Sequence, residues 1–284
     1  MAYKLNDMSQ DYIKNILKKY GLSPNFTYGQ NFLTDDLVLT DIVDAAKLVS
    51  GDAILEIGPG LGTLTQKLLE ASKFVLAIEK DKKFFPVLRV LKKEYENFRF
   101  EVDDALEFNF QDYFKNEGFK NYKVVANIPY FITGKILRML MTAPFKPSSI
   151  TVLAQKEVVQ NVIAGPGNLS ILAISVQLYG TPKLVSVVPA KSFYPAPKVD
   201  SAILHIELFE KPKYTISNEK KFFKILKACF SGKRKQLHNT LVSNLHLEKE
   251  FVTKLLTELN IPAMARPQEL NIEQWVALVN KLEI

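Results

Sequence analysis

The chain has 284 residues, 47% hydrophobic and 24% charged, with 37 Lys and Arg against 30 Asp and Glu for a formal net charge of +7. Such a composition belongs to a globular chain of one large or two modest domains, and the positive excess is compatible with an anionic partner such as nucleic acid. A lone cysteine, Cys229, excludes an intrachain disulfide, and no apolar stretch reaches the roughly 18 residues that a membrane span requires.

Residues 1–7 lack the apolar core of a secretory leader, so the cytoplasm is the expected compartment. Residues 9–20 read as an amphipathic helix capped by Ser9 and stopped by Gly21. A turn-rich stretch follows, Ser23-Pro24-Asn25-Phe26-Thr27-Tyr28-Gly29-Gln30-Asn31-Phe32-Leu33, polar and aromatic together in a way plain linkers are not. A second helix is expected over about 35–49.

From residue 52 apolar runs alternate with helical patterns. Strands are expected at 53–57, 74–78, 98–102, 123–126, 150–154 and 199–207, with helices at about 63–71, 81–93 and 133–141. This alternation implies βαβ units and a mainly parallel sheet. Helices at about 155–164 and 169–179 come next, then a Pro-rich link and the last strand, which reads as an antiparallel addition. The expected boundary lies near Phe209-Glu210-Lys211-Pro212-Lys213. Beyond it the pattern is helical, at about 218–230, 234–245, 248–259 and 272–282. The expected domains are therefore 1–210, with an N-terminal helical extension to about 34, and an all-α domain over 211–284.

Three strand ends carry chemistry. The first is Gly58-Pro59-Gly60-Leu61-Gly62, a G-x-G-x-G loop. It matches neither the dinucleotide fingerprint nor the phosphate loop, but its glycines allow a ligand close to the backbone. Glu79 ends the second strand, where a carboxylate can accept ribose hydroxyls. Asp104 follows the third and is suited to accept from an adenine amino group, while neighbouring Asp81 and Asp103 can act as helix caps.

At the fourth strand end stands Asn127-Ile128-Pro129-Tyr130. A carboxamide oxygen and a loop carbonyl, that of Ile128 or Pro129, can accept the two N–H bonds of a planar amine. The Tyr130 ring can stack on its flat face. Phe193, in a Pro-braced segment, is the candidate for the opposite face. Lys198 and the cluster Lys233-Arg234-Lys235, with Lys221, Lys224 and Lys227 nearby, are candidate phosphate contacts. His205, His238 and His246 show no ligand spacing, so no metal is expected, and Cys229 in its apolar run reads as a buried small hydrophobe.

Glycine loop, two strand-end acids and the Asn-Pro-aromatic loop, in this order, resemble the class I S-adenosylmethionine-dependent methyltransferases. Gln30-Asn31-Phe32-Leu33, Gln155-Lys156-Glu157-Val158, Phe193-Tyr194-Pro195-Ala196-Pro197-Lys198-Val199-Asp200-Ser201 and Lys233-Arg234-Lys235 extend the likeness from about residue 10 to 282. With them the chain is similar to the bacterial small-subunit rRNA adenine dimethyltransferases. That resemblance implies a Rossmann-like α/β sheet with a smaller all-α C-terminal domain that binds rRNA. It implies S-adenosylmethionine contacts at Gln30, Asn31, Leu33, Gly58, Gly60, Glu79, Lys80, Asp104, Ala105 and Asn127. The implied substrate is a pair of adjacent adenosines in the 3′-terminal hairpin of 16S rRNA, each dimethylated on N6, within the small ribosomal subunit. A monomer without membrane or metal partners is expected. Two departures stand out: a short Gly165-Pro166-Gly167-Asn168 loop where the family often carries Arg, and Ile128 where it often has Leu. Ile128 is common in resistance-type enzymes acting on large-subunit rRNA, which form one rival reading; a non-catalytic assembly factor is another.

Overall fold

The computed structural model of the chain describes residues 9–282. The leader reading of residues 1–7 lies outside them. The chain divides into two compact units, one built from residues up to Val159 together with Pro182–Leu208, the other from Gln160–Thr181 and from Phe209 onward. The segment 160–181 thus groups with the later helices, whereas the sequence pattern suggests one cut near 210.

The first unit is organised by a seven-stranded sheet: β1 Ala53–Ile57, β2 Phe74–Glu79, β3 Phe98–Val102, β4 Lys123–Asn127, β5 Ser149–Gln155, β6 Gly180–Val188 and β7 Ser201–Leu208. Their order across the sheet is β3-β2-β1-β4-β5-β7-β6. β1 to β5 run parallel in this order, and β7 pairs antiparallel with β5, Ser149 opposite Glu207 and Gln155 opposite Ser201. All residues of β1 and β2 are buried, as predominantly apolar strands covered on both faces should be, and Glu56 and Glu79 are buried with them. β1 has β2 on one side and β4 on the other, so the strand order reverses there. In open α/β sheets the crevice beyond such a switch point receives ligands.

Local signals account for most helices. Ser9 Oγ accepts the Tyr12 N–H at the start of Gln10–Lys19, and Asp35 caps Asp36–Ala45. Ile13, Ile16 and Leu17 join Phe32, Leu33, Leu39 and Ile42 in the apolar core. Several elements lie outside the sequence expectations, among them the paired two-residue strands Phe32–Leu33 and Phe193–Tyr194. The helix Phe110–Asn116 is short and aromatic. β6 has alternating exposure, with Val185 and Val187 outward; its apolar residues lie on both faces and Pro182 stands near its start, which only an edge strand tolerates.

The second unit is helical: Ile171–Gln177, Glu219–Phe230, Leu237–Leu245, Lys249–Glu258 and Ile272–Lys281. Trp275, Phe222, Leu226 and Cys229 are fully buried at its centre, and burial pushes the Cys229 thiol up to about 12. The third of these helices begins at Leu237 rather than near 234, so Lys233, Arg234 and Lys235 occupy the preceding turn, where the Lys235 N–H donates to the Gly232 carbonyl at 2.7 Å. Among the described residues no helix is long and apolar enough to cross a membrane.

Candidate active site

A cavity of about 390 Å³ opens beyond the C-terminal ends of β1, β2 and β4. It lies entirely within the first unit, and its size is that of a small-molecule site. Gln30, Asn31, Leu33, Gly58, Gly60, Glu79, Lys80, Asp104, Ala105, Asn127, Ile128, Pro129 and Tyr130 all line it. Residues spread over a hundred positions of sequence are therefore brought into one chamber.

The floor is the glycine loop. Gly60 has φ +54°, and a Cβ there would stand 3.3 Å from the Phe32 ring. Gly62 opens the helix Thr63–Ala71 at φ +77°, where a Cβ would lie 2.3 Å from Leu91 Cδ1. Glu79 braces this loop: Oε2 accepts the Gly60 N–H at 3.0 Å and Oε1 the Asp81 N–H at 2.8 Å. Burial raises the Glu79 carboxyl above its ordinary range, against the pull of those backbone donors. A carboxylate has about four lone-pair sites, so these backbone donors do not exhaust its capacity to accept from a hydroxyl.

The side walls are polar. Gln30 closes the turn-rich loop over the cavity, its oxygen accepting the Asn25 N–H at 2.8 Å and its amide donating to Asp81 Oδ2 at 3.0 Å. Asp81 also caps the short turn Lys82–Phe84 through the Lys83 N–H. Lys80 Nζ meets Asp104 Oδ2 at 2.7 Å, and Asp104 Oδ1 accepts the Leu106 N–H at 2.9 Å. The Lys80 ammonium and then the backbone donor hold the Asp104 carboxyl below its usual range.

The Asn127 amide has a defined orientation. Its Nδ2 donates to the Asn31 carbonyl at 3.2 Å, so Oδ1 is the atom left for the cavity. The next turn is equally specific. Ile128 is 1% exposed, and its N–H donates to the Leu153 carbonyl on β5 at 3.2 Å. The Pro129 carbonyl accepts the Ile132 N–H at 3.2 Å and the Thr133 hydroxyl at 3.5 Å. Among the described residues no hydrogen bond reaches the Ile128 carbonyl. Of the two carbonyls left open by sequence, that of Ile128 is uncommitted. Tyr130 is half-buried, with its hydroxyl 2.7 Å from Ser201 Oγ.

Other candidates are not gathered here. Phe193 is 1% exposed, packed in the apolar core and paired in register with Leu33. That register turns its side chain inward, so in this structure it offers no face to a base. Lys198 is exposed and outside the cavity lining. In the second unit Lys233, Arg234, Lys235, Lys224 and Lys227 are exposed, while Lys221 donates to the Leu282 carbonyl. Gly167 and Leu169 N–H groups both donate to the Gln268 carbonyl, which fixes the short loop carrying Asn168.

Sequence reasoning passed over Glu56 and Phe131, both in the lining. Glu56 is 1% exposed, and its Oε2 has no partner among the described residues. Burial, with Glu79 nearby adding repulsion, pushes its carboxyl to about 8. Its signal was its place in Glu56-Ile57-Gly58, an acid within an otherwise apolar strand. The cavity therefore combines acids, a glycine cradle, polar side walls and apolar side chains such as Leu33, Ile57 and Ala105 between them, a lining that fits a cationic nucleoside-bearing cofactor.

The family profile described as "Ribosomal RNA adenine dimethylase" matches residues 21–283. A protein named Ribosomal RNA small subunit methyltransferase A from Dehalococcoides mccartyi is 40% identical over 268 residues, covering 93% of this chain and 90% of its own length. One of the same name from Alkaliphilus oremlandii is 37% identical, with 95% of each chain covered. The crystal structure of a dimethyladenosine transferase from Plasmodium falciparum matches with TM-score 0.74 at 29% identity, over 87% of this chain and 95% of that one. The 23S rRNA methyltransferase ErmE matches with TM-score 0.70 at 24% identity, over 89% and 100%, a likeness of fold.

Proposed function

The chain belongs to the ribosomal RNA adenine dimethylase family, and from that premise we propose that it dimethylates N6 of two adjacent adenosines in the 3′-terminal hairpin of 16S rRNA. It is an rRNA adenine dimethyltransferase with S-adenosylmethionine as methyl donor. When bound, the donor supplies an electrophilic methyl group on a sulfonium. The residues that would hold it are Glu79, suited to the ribose hydroxyls, Asp104, suited to the adenine amino group, and Gln30, Asn31, Leu33, Gly58, Gly60, Lys80, Ala105 and Asn127, which line the same cavity.

The observation that carries the reading is the fixed Asn127 amide beside the uncommitted Ile128 carbonyl. Adenine N6 is a poor nucleophile because its lone pair is delocalised into the ring. Two acceptors that draw its hydrogens out of plane localise that lone pair. Such a site acts by orientation and preorganised dipoles rather than by a strong base. The cationic amine that transfer would leave is a strong acid and gives its proton to water, so no histidine is required. The target base must be unpaired or extruded to reach the chamber, and this reading assigns Tyr130, which lines the cavity, as its stacking partner.

The same reading assigns phosphate contacts to Lys198 in the first unit and to Lys233, Arg234 and Lys235 in the helical unit. It takes the monomer as the working state, supported by a cavity complete within one chain, and the cytoplasm as its location. Small-subunit rRNA is favoured over large-subunit rRNA by relatives that carry the small-subunit name at 37–40% identity. Labelled methyl transfer to unmethylated small subunits and to large subunits, with the product nucleoside identified, tests it. Dimethyladenosine in the small subunit alone is the expected result; label confined to the large subunit overturns the assignment.

A further inference from the structure

Phe131 is 63% exposed, yet it follows the half-buried Tyr130 and lines the same cavity. An aromatic ring at a cavity rim offers a flat face on which a nucleic-acid base can stack. Its ring lies against Gly29: a Cβ at that position would come within 3.3 Å of Phe131 Cε1. The loop thus leaves room for the ring at the rim. Four residues on, exposed Lys135 also lines the cavity, near enough to help lower the Asp104 carboxyl.

Tyr130 and Phe131 belong to one 3₁₀ turn, Tyr130–Ile132. At three residues per turn, consecutive side chains diverge by roughly 120°, so one base cannot lie flat on both rings. The inner ring serves the base whose amine meets Asn127. The outer ring, with a cation beside it, is a platform for a second base and its phosphate. Resting on the function proposed above, we infer that Phe131 stacks on the nucleotide flanking the adenosine being methylated, and that Lys135 contacts its phosphate. In a substrate with two adjacent target adenosines, this rim would hold one while the other reacts.

The test uses the full chain with unmethylated small subunits, and in parallel a short single-stranded RNA read by fluorescence anisotropy. Loss of one base-stacking ring weakens binding by roughly 5- to 150-fold. Phe131→Ala is expected to raise KM for subunits and Kd for the oligonucleotide within that range, with cofactor Kd unchanged. Phe131→Tyr should restore both. Lys135→Gln should lower the salt slope of RNA binding by about 0.7. Unchanged RNA affinity in Phe131→Ala overturns the inference, as does a cofactor Kd that rises in step with KM, which would make the ring a cofactor lid. If the wild-type chain transfers no methyl to small subunits, the functional reading fails by itself, and the oligonucleotide arm still decides whether Phe131 stacks on RNA.

Discussion

Glu79, at the end of β2, accepts the backbone N–H of Gly60 at 3.0 Å, tying one strand end to the glycine loop of its neighbour. The same carboxylate takes the Asp81 N–H at 2.8 Å. One side chain therefore shapes the cradle and presents its remaining lone pairs to a ligand. Glu79→Gln puts an NH2 donor opposite one of the two backbone N–H groups and removes the charge. Loss of a charged hydrogen-bonding partner costs about 1.5–3 kcal/mol, so S-adenosylmethionine affinity should fall by more than tenfold. Calorimetry with cofactor, beside an RNA-binding assay that stays near wild type, checks this. Unchanged cofactor affinity would leave Glu79 a brace alone.

Asn127→Ala should lower the methyl-transfer rate by about a hundredfold or more, the usual loss for one preorganised polar group. The residue is half-buried and ends a strand, so the fold should persist. Single-turnover rates on small subunits measure the effect. A folded variant with a near-normal rate would remove Asn127 from the reaction.

Glu56 predicts a pH dependence of stability. Its carboxyl is raised from 4.5 to about 8 in the folded chain, chiefly by burial. The protonated form is thus favoured by folding. The contribution is complete below the ordinary carboxylate value and is lost as pH rises through about 8, with a slope approaching about 1.4 kcal/mol per pH unit in between. Glu79, also raised, acts in the same sense, whereas His205, lowered chiefly by burial, loses its contribution as pH falls. Glu56→Gln should flatten the fall in stability between about pH 5 and 8. Urea denaturation across that range compares the two; parallel curves would place the proton elsewhere.

Replacing Lys233, Arg234 and Lys235 together by Ala should weaken rRNA binding and reduce the log–log salt slope by roughly 0.7 to 0.9 for each lost phosphate contact. All three side chains are exposed in a turn of the helical unit, and none of them lines the cavity. Cofactor affinity should not change. A salt slope equal to that of the wild type would leave them as a solvated face.

The parallel strands and most helices were legible in the sequence because their signals are short-range. Continuous apolar runs mark β1, β2 and β4, and Ser9, Asp35, Ser170 and Asn218 cap the helices they precede. The glycine loop, Glu79, Asp104 and Asn127–Tyr130 were legible for a related reason. Each stands at a strand end, and parallel strands bring their C-terminal ends to one edge. Burial and hydrogen-bond commitment depend instead on register and long-range packing. The pairing of Leu33 with Phe193 put that ring in the core, and the turn after Pro129 engaged its carbonyl while leaving that of Ile128 open. Edge position alone let a Pro-containing segment become β6. Residues 160–181 joined the helices because Leu169, Ala173, Ile174 and Leu178 bury against Phe222, Leu226 and Trp275, neighbours more than 40 positions away that no local pattern could name.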